Sequence, residues 1–284
     1  MKRIFTHWMG CWLVLLMALV AQANPDFQPP KKKLVVIAGT PSHNAGEHEY
    51  NAGALLIRKW FADSPDLDVT VCLNGWPADS AVFDTADGIV LFMDGKQGHL
   101  VLKPDNQRQL AKAVKKGAGL ACLHYAVTLP AGDGKPLLDM LGGFKEDGYS
   151  AHGFWTSDFR TIPVHPVTRG VKPFSLYDEC YFFLRLRPEI KQILSATPPA
   201  SVRNTAASRA FPDQKEIVCW VYERPDGGRS FGNTALHYHK NWTDENLRKL
   251  LLNGFRWICH LDVPESGVVS KVTEAELGQN LDKK

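Results

Sequence analysis

The chain carries almost no surplus of either charge. Lysine and arginine number 33 against 30 aspartate and glutamate, a formal net charge of +3 with a pI of about 8.5. That excess is too small and too evenly spread to mark a nucleic-acid surface. After residue 24 no apolar run reaches the roughly 20 residues that a membrane span needs. Cysteine is sparse and never paired as CxxC, so nothing points to zinc–thiolate chemistry. A GxSxG elbow, a P-loop and an HExxH motif are all missing. Gly-Ala-Gly at 117–119 precedes a strand pattern instead of following one. It is no dinucleotide fingerprint, and no nucleotide cofactor is expected.

What remains is an ordinary globular composition, 44% hydrophobic and 22% charged over 284 residues, with 23 glycines and 18 prolines. That length suits one loop-rich domain with a sizeable core. The N-terminus reads as a secretory signal: Lys2 and Arg3, an apolar stretch from Cys11 to Val20, then Ala21-Gln22-Ala23. Cleavage after Ala23 and a periplasmic or secreted location are expected, with no membrane attachment afterwards. The five cysteines left (Cys72, Cys122, Cys180, Cys219, Cys259) sit in apolar runs and read as buried free thiols. Without repeats or a linker, the expected organisation is a signal peptide over 1–23, one domain over 24–262 and a loose polar tail over 263–284.

Strand and helix patterns alternate through the first half. Leu34 to Gly39, Asp68 to Leu73, Asp87 to Met93 and Leu120 to His124 are short apolar runs of the kind buried on both faces of a parallel sheet. Glu49 to Ala62 and Asn106 to Lys116 read as helices, the second closed by Gly117. Residues 126–175 have little periodicity. Strands are predicted again at Glu179 to Arg185, Gln192 to Ala196, Ile217 to Tyr222 and Ser230 to His237, before a closing helix from Asp244 to Cys259. This is the pattern of an α/β, doubly wound sheet, whose ligands sit beyond the carboxyl ends of the strands. The loops after Gly39, Met93 and Leu123 should therefore line the site.

Histidines concentrate at those ends. His43 and His48 follow the first strand, His124 ends the fourth, and His237 and His239 close a late one on what alternation makes a single face. Imidazoles with a carboxylate such as Glu47, Asp178 or Glu179 are a normal site for zinc or another divalent metal. The same groups without metal can serve as general bases. Cys122 lies within an apolar strand and is a poor nucleophile. Tyr149, Phe154, Trp155, Trp220, Phe231 and Trp242 can pack a core or form a sugar platform, with packing the better reading for most.

Several blocks resemble the trehalose-utilisation (ThuA-like) family. They are Pro41-Ser42-His43 with Gly46 to Gly53, Gly119 to Ala126, Leu141-Gly142-Gly143, Ala151-His152, Val164 to Gly170, Asp178-Glu179, and Tyr222 to Gly232 leading into His237. The resemblance covers about residues 33–262. It implies a fold like class I glutamine amidotransferases, a flavodoxin-like three-layer sandwich with a mainly parallel sheet. In those enzymes a cysteine followed by histidine occupies the turn after this strand. Aligning His124 with that histidine puts Leu123 at the nucleophile position, which argues against glutaminase chemistry.

The resemblance further implies a small sugar substrate, a 3-keto-glycoside or related oxidised sugar. A ketone at C3 acidifies the C2 proton. A base removes that proton, the glycosidic oxygen leaves C1, and water adds to the enone. The step needs a base and an electrophile. His43, His48, His124 and His237 are the expected catalytic and metal-ligating residues. Glu47, Tyr125, His152, Glu179 and His239 are the expected substrate contacts. A non-catalytic carbohydrate-binding or accessory protein and a metal-dependent hydrolase of another substrate class are the alternatives.

Overall fold

The computed structural model describes residues 29–284, so the expected signal peptide lies outside the described residues. Among the described residues twelve strands occur in chain order: β1 Lys32–Ala38, β2 Leu67–Cys72, β3 Gly88–Phe92, β4 Gly119–Leu123, β5 Thr128–Leu129, β6 Gly143–Glu146, β7 Ala151–Phe159, β8 Phe174–Phe182, β9 Arg185–Leu186, β10 Lys191–Ala196, β11 Glu216–Glu223 and β12 Arg229–Asn233. Seven of them form one sheet in the order β10-β11-β12-β4-β3-β1-β2. From β12 to β2 every neighbouring pair is parallel, and β10 and β11 extend the edge as an antiparallel meander.

Alternation within the central strands divides the core in two. Leu34, Val36, Val90, Phe92, Ala121 and Leu123 face the helices Tyr50–Trp60 and Glu245–Ile258. Val35, Ile37, Ile89, Leu91, Leu120 and Cys122 face the helices Pro104–Lys115 and Lys135–Leu141. Strands buried on both faces need helices on both sides, and the result is the flavodoxin-like three-layer sandwich expected. At the end of β1 the chain passes so near β3 that a Cβ on Gly39 would lie 2.8 Å from the Met93 Cβ. Glycine alone permits that approach, which brings the loops after β1 and β3 together.

Three sequence expectations are corrected. The segment 126–175 is not irregular: it holds β5, β6, β7 and the helix Lys135–Leu141. The strand expected from Glu179 runs instead over Phe174–Phe182, pairing antiparallel with β7 along nine residues as a separate ribbon. The tail is not loose. The backbone N–H of Asp282 donates to Glu49, and its carboxylate accepts from the Tyr50 N–H and the Asn51 amide. The compact unit accordingly spans Lys31–Lys284. All five described cysteines are free. No helix among the described residues is long and apolar enough to cross a membrane.

Candidate active site

Four loops and the ribbon meet at the carboxyl end of the sheet. The loop after β1 brings His43, Glu47 and His48. Asp94 follows β3, His124 and Tyr125 follow β4, His237 follows β12, and β8 contributes Glu179 and Tyr181. Nine described non-glycine residues have positive φ. Four of them belong to this site: His43 at 63°, His48 at 45°, His124 at 49° and Leu236 at 88°. Backbone strain concentrated at one place is a mark of function. It also corrects the alignment made from sequence. The strained residue of the strand-to-helix turn is His124, while Leu123 is ordinary extended chain at φ −112°. The turn therefore presents an imidazole, and no thiol stands there. Cys122 is fully buried, and burial pushes its thiol up, away from thiolate.

The centre is a buried group of His48, His124, Glu179 and His237, whose facing donor atoms all lie within 4.8 Å of one another. His48 Nε2 is 3.0 Å from His124 Nε2 and 3.0 Å from His237 Nδ1. Glu179 Oε2 is 3.6 Å from His124 Nε2 and 3.3 Å from His237 Nδ1.

The hydrogen-bond partners assign the protons. His124 Nδ1 lies 2.7 Å from the Thr234 carbonyl, which only accepts, so Nδ1 carries the hydrogen and Nε2 a lone pair. Tyr50 has one proton and donates it to the Asp94 carboxylate at 2.8 Å. Its oxygen therefore accepts from His48 Nδ1 at 2.8 Å, which leaves His48 Nε2 bare as well. Ser42 repeats the device. It donates to Asp94 at 2.7 Å and accepts from His43 Nδ1 at 2.9 Å, so His43 Nε2 is also free. One carboxylate thus sets the tautomer of two histidines.

The surrounding electrostatics agree. Burial holds His48 down at about 4 and His124 well below the ordinary imidazole range, so both are neutral near pH 7. Burial also lowers His43. Glu179 is pushed up by burial, but hydrogen bonds from His152 and His237 outweigh this and keep it ionised. His152 Nδ1 sits 2.7 Å from Glu179 Oε1 and so orients the carboxylate. Burial lowers His237, yet the Glu179 carboxylate prevails and holds it above its ordinary value.

Asp178 places His237. Its carboxylate accepts the backbone N–H groups of Leu236, His237 and Tyr238 at 2.6, 3.2 and 3.3 Å. It clamps the strained turn while it stays fully buried, and burial pushes it up to about 6.

Among the expected contacts, Glu47 Oε1 lies 3.5 Å from His237 Nε2, and the Tyr125 ring is 5.6 Å from that of His43. His239 is the exception. β12 ends at Asn233, four residues before His237, so strand alternation does not hold there. His239 turns away, donates from Nε2 to the Leu277 carbonyl, and borders a separate cavity of about 430 Å³ beside the tail. Of the six aromatics considered for a sugar platform, Trp155, Trp220, Phe231 and Trp242 are core residues, and Phe154 is exposed. Sequence reasoning missed Ser42, Tyr50, Asp94 and Tyr181. Asp94 had a usable signal, since it directly follows Met93 at a strand end.

Zinc bonds of 2.0–2.2 Å in a tetrahedron place ligand atoms roughly 3.3–3.6 Å apart; four of the six separations here are 3.0–3.6 Å, and all six lie within 4.8 Å. Three imidazoles and one carboxylate are also the donor set that zinc takes. The residues fit a divalent metal.

A class of fold follows first: an α/β sandwich with a histidine–carboxylate centre at the sheet's carboxyl end. The chain belongs to the trehalose-utilisation (ThuA) family, whose profile matches residues 33–258. Two solved ThuA-like proteins share the fold. That from Bacteroides uniformis is 15% identical with a TM-score of 0.58, over 87% of this chain and 98% of its own. That from Parabacteroides merdae is 17% identical with a TM-score of 0.58, over 87% and 94%. No curated protein matches the sequence.

Proposed function

We propose that this protein is an exported, metal-assisted enzyme acting on 3-keto-glycosides or related oxidised sugars. The observation that carries the reading is the convergence of bare imidazole nitrogens from His48 and His124 on the Glu179 carboxylate, next to a half-exposed His43 whose Nε2 is unblocked. The family's association with trehalose utilisation supports a sugar substrate. Export rests on the N-terminal charge, apolar stretch and Ala21-Gln22-Ala23.

His48, His124, His237 and Glu179 would hold the metal. When bound, a divalent ion supplies a Lewis acid that polarises a ketone and stabilises its enolate. His43 Nε2 takes the C2 proton, and Ser42 and Asp94 hold the ring in the tautomer that can accept it. The C–H electron pair becomes the C1–C2 double bond as the glycosidic C1–O bond breaks. Tyr125, kept protonated because burial pushes it up to about 12, stands beside His43 to protonate the departing oxygen. Water then adds across the double bond, hydroxyl to C1 and hydrogen to C2.

The second reading is a carbohydrate-binding accessory protein. It draws on the donor count, since four protein ligands complete a tetrahedral shell as in structural zinc sites. Turnover separates the two. Zinc-loaded protein should release the aglycone from a 3-keto-glucoside, and His43→Ala should lower kcat by roughly 10²–10⁴. Retention of the sugar without turnover would establish the accessory reading instead.

A further inference from the structure

The β7–β8 ribbon has one face that does more than supply ligands. Directly paired residues of an antiparallel ribbon point the same way. The pairs His152/Tyr181, Phe154/Glu179 and Thr156/Tyr177 therefore lie in a row on one face. Successive pairs on a face are about 7 Å apart. The row starts at the cluster, where Tyr181 approaches His124 and His152 holds Glu179. It then runs outward over Phe154 and Tyr177.

Those two rings are unusual in being open. Phe154 is 40% exposed and Tyr177 50%; of the other exposed large apolar side chains among the described residues, Leu281 borders the tail cavity that Tyr238 also lines. Tyr238, the residue after the ligand His237, joins them. Its ring is 6.2 Å from that of Tyr177 and only 16° from parallel to it, and it is 5.7 Å from that of Phe154. Phe154 in turn meets His237 edge-on at 5.0 Å. The strip is anchored: the Asn241 amide donates to the Tyr177 carbonyl, and Asp178 fixes the Tyr238 backbone.

We propose that this strip of Phe154, Tyr177 and Tyr238 is a stacking subsite for the second pyranose of a disaccharide whose first ring lies at the cluster. The inference rests on the sugar reading above and narrows it to glycosides with a sugar aglycone. A pyranose offers an apolar C–H face and a rim of hydroxyls. Aromatic faces with polar tips match that shape, and here the two tyrosine hydroxyls, Thr156 and the half-exposed His152 provide the rim. The strip is continuous with the centre through the Phe154–Glu179 pair, so a two-ring ligand reaches both.

The test is binding of trehalose, with glucose as control, by saturation-transfer NMR and calorimetry on the full-length protein. Wild type should bind trehalose at least tenfold more tightly than glucose. Phe154→Ala and Tyr177→Ala should each weaken trehalose about tenfold, and Tyr177→Ala, which removes a ring packed on Tyr238 on the side of the strip away from His237, should leave the zinc titration unchanged. Both positions are open, so melting temperatures report whether the variants fold, and Phe154→Leu and Tyr177→Leu serve if alanine does not. Equal trehalose affinity in wild type and variants, no preference over glucose, or no trehalose binding overturns the subsite. So does dimerisation that Phe154→Ala abolishes, which would make the strip an interface between copies. Trehalose binding through the strip without turnover of the keto-sugar would leave the subsite standing while the enzyme reading fell. Turnover with unchanged variants would do the reverse.

Discussion

His48 and His124 present their Nε2 atoms to each other at 3.0 Å, and neither ring has a proton to place between them. The hydrogens are committed elsewhere, to Tyr50 and to the Thr234 carbonyl. Two lone pairs at that distance repel each other, although the Tyr181 hydroxyl lies 3.1 Å from His124 Nε2 and His237 Nδ1 3.0 Å from His48 Nε2, and Glu179 adds a negative charge 3.6 Å from His124 Nε2. A divalent metal satisfies all three groups at once.

Metal uptake should therefore be stoichiometric. Protein freed of metal by a chelator should take up one zinc ion per chain, and at 100 times Kd its stability should rise by about 2.7 kcal/mol. His124→Ala should abolish the rise. A melting temperature indifferent to zinc would refute the centre.

Tyr50 offers a finer test of the proton assignment. Tyr50→Phe removes the acceptor for His48 Nδ1 without touching a donor atom to the metal. Loss of such an orienting partner lowers metal affinity by about 10–100-fold. Competition with a zinc chelator measures this. Affinity equal to that of wild type would mean that Tyr50 does not set the tautomer.

The tail should act on the site from outside it. Asp282 holds the Tyr50 N–H at 3.0 Å and the Asn51 amide at 2.7 Å, next to the loop that carries His43 and His48. Asp282→Ala should cost about 1–3 kcal/mol. It should also speed amide exchange selectively over residues 44–51. Exchange that rises evenly across the chain, or not at all, would contradict a local strap.

Acid should destabilise the fold through a residue outside the histidine–carboxylate centre. His99 is buried, and burial lowers it to about 4. Its Nε2 donates to the Ala126 carbonyl, and its Nδ1 accepts from the Val101 N–H. The unfolded chain takes up this proton near pH 6.5 and the folded chain only near 4. Below 6.5 the unfolded state thus binds more protons. The contribution is complete above pH 6.5 and is lost as pH falls toward 4, on the order of 3 kcal/mol in all. Urea midpoints across that range should slope less in His99→Gln than in wild type. Parallel slopes would assign the acid sensitivity to other groups.

Much of the architecture was legible before any coordinates. Runs such as Leu34 to Ala38 and Ile89 to Phe92 are apolar at every position, which only a strand covered on both faces tolerates. Once the sheet was doubly wound, His43, His48 and His124 fell at its carboxyl end by connectivity alone. The ribbon was harder to read. β7 buries alternate residues, but its exposed positions include Phe154 and its buried ones Ser157, which blurs the period.

The sequence by itself determined the doubly wound sheet, its first four strands and that His43, His48 and His124 stand at their carboxyl ends, because local periodicity records which face of each element is buried. Tertiary structure decided the chemistry. His124 owes its tautomer to Thr234, 110 residues away, His48 owes its own to Asp94 through Tyr50, and Asp178 reaches across 58 residues to clamp the turn before His237. His239, two residues on, was lost to the site because β12 stops at Asn233 and the alternation that would have aligned it stops there too. A proton's place depends on which acceptor the fold brings within about 3 Å, and no spacing along the chain encodes that.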